Sequence, residues 1–418
     1  MSFRKTAPMK PSLAILAVLV IASASARAQV VPAVNGPKPL PISGTLKYDL
    51  RYSQTLQRYP GSGGTTQRSV VSGELTYSNS NAARPFSLTY SGGDMWNITG
   101  GSTGDGVFQH MAVSQGFVGR NWALNLGDDV SYLPQSPTSG FSGISGVGSL
   151  PTTPTQPTQP ILTLNSRSVS NSFSSSFTHT INRAASLGIS GNYGNLRFPN
   201  GDGLSMDQWQ VGPEISWRLN ALSSISAQYG YSRFSYPDYS FTMGTQSAQF
   251  GYQRTWSRRL KTSVSAGPEW IQGSHTLMIP SSTDLTVNAN VLYEARSMSA
   301  TLSYSQAATG GAGVTTDVGA HNRDIGLMLS RQFGRNLTAN AYGSYMRTNG
   351  LQQNGVTNGK IGGAGATRQL GRFIIVFVNY TAIQQSSSAA LPTNAISGLS
   401  QVVGFGIGYS PREMHFKK

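Results

Sequence analysis

Strict alternation of apolar and polar residues, returning all along this chain, leaves few folds open to it. Leu46, Tyr48, Leu50 and Tyr52 fall on one face of an extended segment, and Lys47, Asp49 and Arg51 fall on the other. A period of two residues marks a strand with unlike faces. The pattern returns in Trp122, Leu124, Leu126, Val130 and Tyr132, set against Asn121, Ala123, Asn125, Asp129 and Ser131. It recurs in Trp209, Val211, Pro213, Ile215 and Trp217, and in Val403, Phe405, Ile407 and Tyr409. Eighteen such runs begin near residues 45, 70, 86, 108, 122, 169, 187, 208, 225, 246, 262, 286, 298, 325, 337, 361, 373 and 402. The runs near 108 and 361 are faint, the first mixed and the second mostly Gly and Ala.

The connections are as regular as the strands. Short polar ones, most carrying Arg, fall at Ala83-Arg84, Gly119-Arg120, Asn182-Arg183, Leu219-Asn220, Arg258-Arg259, Arg296, Gly334-Arg335 and Gly371-Arg372. Counted from positions 83, 120, 183, 220, 258, 296, 335 and 372, their separations are 37, 63, 37, 38, 38, 39 and 37. The single long interval holds a Pro/Thr/Gln tract at 134–160. Between the short connections lie long segments of Gly, Ser, Asn and Thr, such as 60–66, 92–106, 200–206 and 307–322. Turn, strand, long loop, strand, turn is the repeating unit, and it is the hairpin layout of a transmembrane β-barrel.

Composition removes the competitors. Charged residues are 11% of the 418, against about 25% in a soluble domain, and Asp plus Glu total 16, too few for a coiled coil or helical repeat. Aromatic residues reach 10%, which a disordered chain would lack. A helical membrane protein needs repeated apolar runs of about 20 residues, and one long run exists, near the N-terminus. A propeller fits four strands into about 40 residues, whereas each unit here holds two, of about 9–11 residues, the length that crosses a bilayer when tilted. Aromatics decide between them. Strands leaving a short turn carry one near the far end: Tyr52, Tyr90, Tyr132, Tyr193, Tyr231, Trp270, Tyr304, Tyr345 and Tyr380. Returning strands carry one just before the next turn: Tyr77, Phe117, Trp217, Trp256, Tyr293 and Phe333. Two belts one strand length apart match the two lipid–water interfaces.

Residues 1–28 read as a secretory signal. Arg4, Lys5 and Lys10 precede an apolar stretch from Leu13 to Ile21, and Ala26-Arg27-Ala28 before Gln29 fits an A-x-A cleavage site. Its removal lowers the net charge from +15 to +11, as Arg4, Lys5, Lys10 and Arg27 depart. The absence of cysteine agrees with export. A Pro-rich lead (29–42), the barrel (43–411, with a long Pro/Thr/Gln-rich loop at 134–166) and a tail (412–418) follow.

On these runs, turns and belts the chain resembles porin-like outer-membrane β-barrels of Gram-negative-type bacteria, over about residues 43–411. The resemblance implies an all-β, antiparallel, up-and-down transmembrane barrel of about 18 strands, with short periplasmic turns and long extracellular loops. It also implies outer-membrane lipid or lipopolysaccharide and the barrel-assembly machinery as partners; the oligomeric state stays open. Such barrels commonly close on a terminal aromatic that the insertion machinery reads. Here Val403, Phe405, Ile407 and Tyr409 alternate, but Ser410-Pro411-Arg412 follow and the chain ends in Lys417-Lys418, which leaves Phe416 as the other candidate.

With so many strands the lumen is wide enough for water. By parity its lining includes Lys47, Asp49, Arg51, Glu74, Glu214, Arg218, Glu269 and Asp324, either as a field that selects solutes or as pairs that satisfy the wall. Gly212-Pro213-Glu214 and Gly267-Pro268-Glu269 repeat a tripeptide, which a duplicated hairpin explains as well as a functional bend does. Enzyme signatures are poor. His110, His179, His275, His321 and His415 have no ligand spacing, no cysteine accompanies them, and there is no G-x-S-x-G. Neither a metal nor another cofactor is expected. Asp128-Asp129, with His110 near, reads as a solvated or cation-binding rim pair rather than a catalytic one, and Asn200-Gly201-Asp202-Gly203 as turn chemistry. No clustered basic face points to nucleic acid; the arginines of the turns can meet anionic headgroups or snorkel. Two functions remain: a passive channel for small hydrophilic solutes, with anions favoured where lumenal bases dominate, and a structural or interaction barrel whose loops serve adhesion or export.

Overall fold

Each long strand of this chain hydrogen-bonds to the long strands before and after it, and the last of them returns to the first. The long strands are β1 (Ser43–Arg58), β2 (Thr65–Asn79), β3 (Phe86–Asn97), β4 (Gly106–Val118), β5 (Trp122–Pro134), β6 (Arg167–Thr180), β7 (Ala185–Arg197), β8 (Met206–Arg218) and β9 (Ser223–Tyr236). They continue as β10 (Phe241–Thr255), β11 (Leu260–Ile271), β12 (Ser282–Glu294), β13 (Met298–Thr309), β14 (Ala320–Phe333), β15 (Leu337–Gly350), β16 (Val356–Leu370), β17 (Ile374–Ser387) and β18 (Gly398–Tyr409). A short β19 (Met414–Lys417) ends the chain, and one 3-10 turn lies at Pro237–Tyr239. This computed structural model describes residues 43–417 apart from 59, 61–63, 80, 100–104, 135–166, 200–204, 240, 273–280, 310–318, 352–354 and 389–396. The signal segment, the Pro-rich lead, nearly all of the 134–166 loop and His275 lie outside the described residues.

Closure is made on β1. It pairs with β2 along its length, and on its other edge with β18 from Leu50–Tyr409 to Arg58–Gln401. Below that, β19 takes over, with Leu46 opposite Met414 and Ser43 opposite Lys417. Three β1 residues, 47–49, thus face four, 410–413, which is a bulge of one residue. Pro411 sits inside it, where a ladder donor is not required. The barrel is therefore one of 18 strands, the last interrupted once, and among the described residues no row of backbone donors is left open to lipid. Phe416 lies in the closing segment, its backbone opposite Gly44.

The long strands run from 12 to 16 residues, more than the 9–11 expected. At about 3.3 Å per residue and a tilt near 45° they rise about 28–37 Å, beyond the ~25 Å apolar band of such barrels, so their ends stand clear of hydrocarbon. The two faintly patterned runs are strands as well. β16 turns Gly359, Gly363 and Gly365 to one face and Gly362, Ala364 and Ala366 to the other, so it lacks bulky side chains rather than partners.

Turn chemistry repeats. Asn182 Oδ1 accepts from the backbone N–H of Ala184 and Ala185 at 2.8 and 2.9 Å, Asn81 Oδ1 from Ala83 at 2.9 Å, and Ser257 Oγ from Arg259 and Leu260 at 3.1 Å. These side chains stand in for a backbone turn bond. Gly334 and Gly371 take φ of 65° and 68°, which glycine adopts without steric cost.

Pairing carries each face from strand to strand. Leu50, Leu75, Ile189, Phe250, Val378 and Phe405 are exposed on the outer face, as a wall in lipid would have them. The inner face is polar for much of its height but not throughout. Toward the loops, Phe234, Tyr236, Phe241, Met243 and Ile271 of β9–β11 form a buried inner cluster with Ala308 of β13. Val70, Met95 and Phe108 form a second on β2–β4, and Ile361 with Ile383 a third on β16–β17. The loop-side ends of β13 and β14 reach onto the first: Ala308 N–H donates to Glu269 Oε2 at 2.8 Å, and Leu351 packs against the cluster. Gly319, at φ 78°, passes so close that a Cβ would lie 2.8 Å from Met243 Sδ.

Candidate functional site: the lumen

All eight residues assigned to the lumen by parity share the inner face, but they do not converge on one ring. Asp49 lies opposite Glu74, and Arg51 Nη2 donates to Asp49 Oδ2 at 3.1 Å. Lys47 is nearer the turns and meets Glu413 at 3.9 Å. Glu214 and Arg218 lie apart on β8, opposite Gln228 and Ser224. Glu269 lies opposite Asp284 near the loops, and Asp324 opposite Ser305.

One row of residues crosses the first five strands at constant register. Asp49 pairs with Glu74, Glu74 with Ser91, Ser91 with His110 and His110 with Ser131. His110 Nε2 and Asp129 Oδ2 lie 2.8 Å apart on this wall. Sequence reasoning placed His110 near the Asp128-Asp129 pair but not in a lumenal belt, because β4 is faintly patterned. The two aspartates themselves point to opposite faces: Asp129 pairs with Ala112 and Ser172 inside, Asp128 with Val113 and Phe173 outside. They cannot act together as a catalytic dyad.

The wall of β3–β8 is different in kind. Ser87, Ser114, Gly127, Ser174, Asn192 and Gln210 follow one another across six strands, and Asn125, Ser176 and Ser190 lie one step toward the turns. They line a cavity of about 490 Å³, bounded by Pro85 on the turn side. Ser87 and Ser114 share a hydrogen bond of 2.7 Å, as do Ser131 and Ser170 at 2.6 Å. Hydroxyls and amides both donate and accept, so this surface suits water and uncharged polar groups. On β6 the inner Ser170, Ser172, Ser174 and Ser176 are half-buried, whereas the loop-half residues of the opposite wall are covered. Ser400 and Val402 are 0% and 1% exposed, Ile383 1%, and Thr55 and Gln57 2%.

Charge is partitioned between the faces. Among the described strand residues, the inner face carries Lys47, Arg51, Arg68, Arg218 and Lys261 against Asp49, Glu74, Asp129, Glu214, Glu269, Asp284, Glu294 and Asp324. The basic excess of the chain lies in the turns and on the outer face. There Arg254 stacks 4.1 Å over Trp256 and Arg331 4.8 Å over Phe333.

The belt aromatics all share the outer face. Tyr52, Tyr90, Tyr193, Trp270, Tyr345 and Tyr380 are exposed there toward the loops, with Tyr132, Tyr231 and Tyr304 half-buried at the same level. Trp217 and Trp256 stand at the turn end, where Trp122 stacks on Phe177 at 6.4 Å and Tyr409 touches Tyr48 and Phe373.

A closed 18-stranded barrel with an apolar exterior, two outer belts and a polar inner wall is, in architecture, a porin-like barrel of the outer-membrane type. No family model and no curated protein matches the chain. Among solved structures it is similar to OccK2 (OpdF) of Pseudomonas aeruginosa, at 13% identity and a TM-score of 0.46, covering 88% of this chain and 98% of that one. It is also similar to OccAB3 of Acinetobacter baumannii (10% identity, TM-score 0.46, 89% and 99% covered). A third is a BenF-like porin from Pseudomonas fluorescens Pf-5 (9% identity, TM-score 0.46, 87% and 98% covered).

Proposed function

We propose that the protein is a passive channel of the bacterial outer membrane for small hydrophilic solutes, with its short turns and both chain ends on the periplasmic side and its long loops outside. The observation that carries this reading is the band of hydroxyls and amides that lines the β3–β8 cavity, inside a closed barrel with an apolar exterior. Such a wall gives hydrated solutes replaceable hydrogen bonds without trapping them, which passage requires. An anion preference would rest on Lys47, Arg51 and Arg218. Two of these are held by carboxylates, and acids outnumber bases on the inner face, so we assign neutral and cationic solutes ahead of anions.

The covered residues near the loops on β16–β18 and β1 favour a second reading, a sealed barrel whose loops serve adhesion or export. Planar-bilayer recording separates the two. Protein that migrates faster unboiled than boiled on a denaturing gel, and is therefore folded, is expected to give discrete ohmic steps in salt. Folded protein without conductance would overturn the channel and leave the interaction barrel.

A further inference from the structure

The connections at the two ends of this barrel differ in charge. The long connections at 59–64, 98–105, 135–166, 198–205, 237–240, 272–281, 310–319, 351–355 and 388–397 contain no Lys or Arg, but do contain Asp105, Asp202, Asp238 and Asp317. The short turns are the reverse. They contain no Asp or Glu, and seven of the eight carry Arg: Arg84, Arg120, Arg183, the Arg258-Arg259 pair, Arg296, Arg335 and Arg372. All of these are exposed.

Their setting is built rather than incidental. In four turns an Asn or Ser side chain closes the backbone, at Asn81, Asn182, Asn220 and Ser257, and in the three of these that carry Arg the guanidinium is left free of that task. Just inside the ring, on the outer face, Arg254 and Arg331 lie over Trp256 and Phe333. Trp256 and Phe333 belong to the aromatic belt that marks the headgroup level.

We propose that the turn-end ring is a docking surface for anionic phospholipid headgroups in the leaflet on that side of the membrane. Guanidinium groups bind phosphate oxygens through paired N–H donors, and a ring of them beside the belt meets headgroups at their own depth. Near an anionic surface each such charge adds attraction that fades within a Debye length. At the loop end the connections carry no base, and the bases there stand on strands, among them Arg58, Arg167, Arg197 and Arg347, with Arg197 held by Asp207 at 2.6 Å. This rests on the barrel spanning a bilayer and is independent of whether it conducts.

The six tryptophans provide the test, because Trp122, Trp217 and Trp256 lie at the turn end and Trp96, Trp209 and Trp270 at the loop end. Two variants of the mature chain, one with Phe at the first three positions and one with Phe at the second three, report on one belt each. Both are refolded into phosphatidylcholine vesicles containing brominated phosphatidylglycerol or, at equal mole fraction, brominated phosphatidylcholine. Turn-end tryptophans are expected to be quenched about two- to fourfold more effectively by the anionic lipid. That preference should vanish near 1 M salt, where the Debye length is about 3 Å. Loop-end tryptophans should show a weaker preference, because the bases there are fewer and stand on strands rather than in the connections. Adding Arg84→Gln, Arg183→Gln, Arg258→Gln and Arg259→Gln to the turn-end reporter should lower the preference at low salt while the heat-modified band shows the barrel intact. Equal quenching by the two lipids at the turn end, or the same preference at both ends, would overturn the proposal.

Discussion

Arg51 and Asp49 pair at 3.1 Å with side chains only 13% and 10% exposed, while Leu50 between them is 57% exposed on the outer face. Three consecutive residues therefore experience two solvents. Arg51→Gln leaves a nearly enclosed carboxylate without its cation, and the expected loss is about 3–5 kcal/mol. Asp49→Asn made together with it should recover much of that, because no charge is then left unpaired. Leu50→Arg fails for the opposite reason and should cost about 2–4 kcal/mol near the midplane. Urea unfolding in vesicles, followed by tryptophan emission, measures all three. A silent Leu50→Arg would mean that the faces are inverted. This alternation was legible because β1 is unambiguous: every even residue from 46 to 52 is apolar. His110 was less so. Its strand mixes both types, and only the register through Ser91 and Glu74 shows that it stands on the inner wall.

Strand existence could be read from the runs and turns, but strand ends could not. A run stops being patterned where it leaves lipid, although the ladder continues, so β1 to β18 exceed the lengths expected. The inner apolar clusters were hidden for a related reason. Val70 and Val71 are adjacent and both apolar, one packed on Met95 inside and the other exposed outside, and parity alone could not sort them. The chain end was misleading in another way, since Pro411 looks like a stop. It is instead the bulge that lets β19 resume beside β1. Deleting residues 410–418 would leave Ser43 to Leu46 without a partner on that edge, exposing backbone donors where lipid offers none. The truncated chain is expected to insert more slowly and to lose much of its heat-modified band, whereas Lys418 alone should be dispensable. Wild-type folding of the truncation would show that β19 is not needed for closure.

Across the whole molecule, net charge and lumenal charge have opposite signs. The mature chain is expected to carry +11, yet its inner strand face holds eight carboxylates and five bases among the described residues. The arginines that make the total positive stand in the turns and on the outer wall, so composition alone misjudges the field that a solute meets. Confined water screens less than bulk, and at low salt the Debye length grows to about 30 Å at 0.01 M, so the inner wall should dominate there. Under a potassium chloride gradient the wild type is expected to show a reversal potential leaning toward potassium, more strongly as salt is lowered. Glu74→Gln combined with Asp129→Asn removes two inner carboxylates, one on the row that includes His110 and one bonded to His110, and should move that potential toward chloride. Neutral sugars should enter proteoliposomes equally well through both, because the hydroxyls and amides that line the β3–β8 cavity are untouched by the two substitutions. A wild type that prefers chloride would mean that the turn-end arginines, rather than the wall, set the potential. The double variant would then leave the selectivity unchanged.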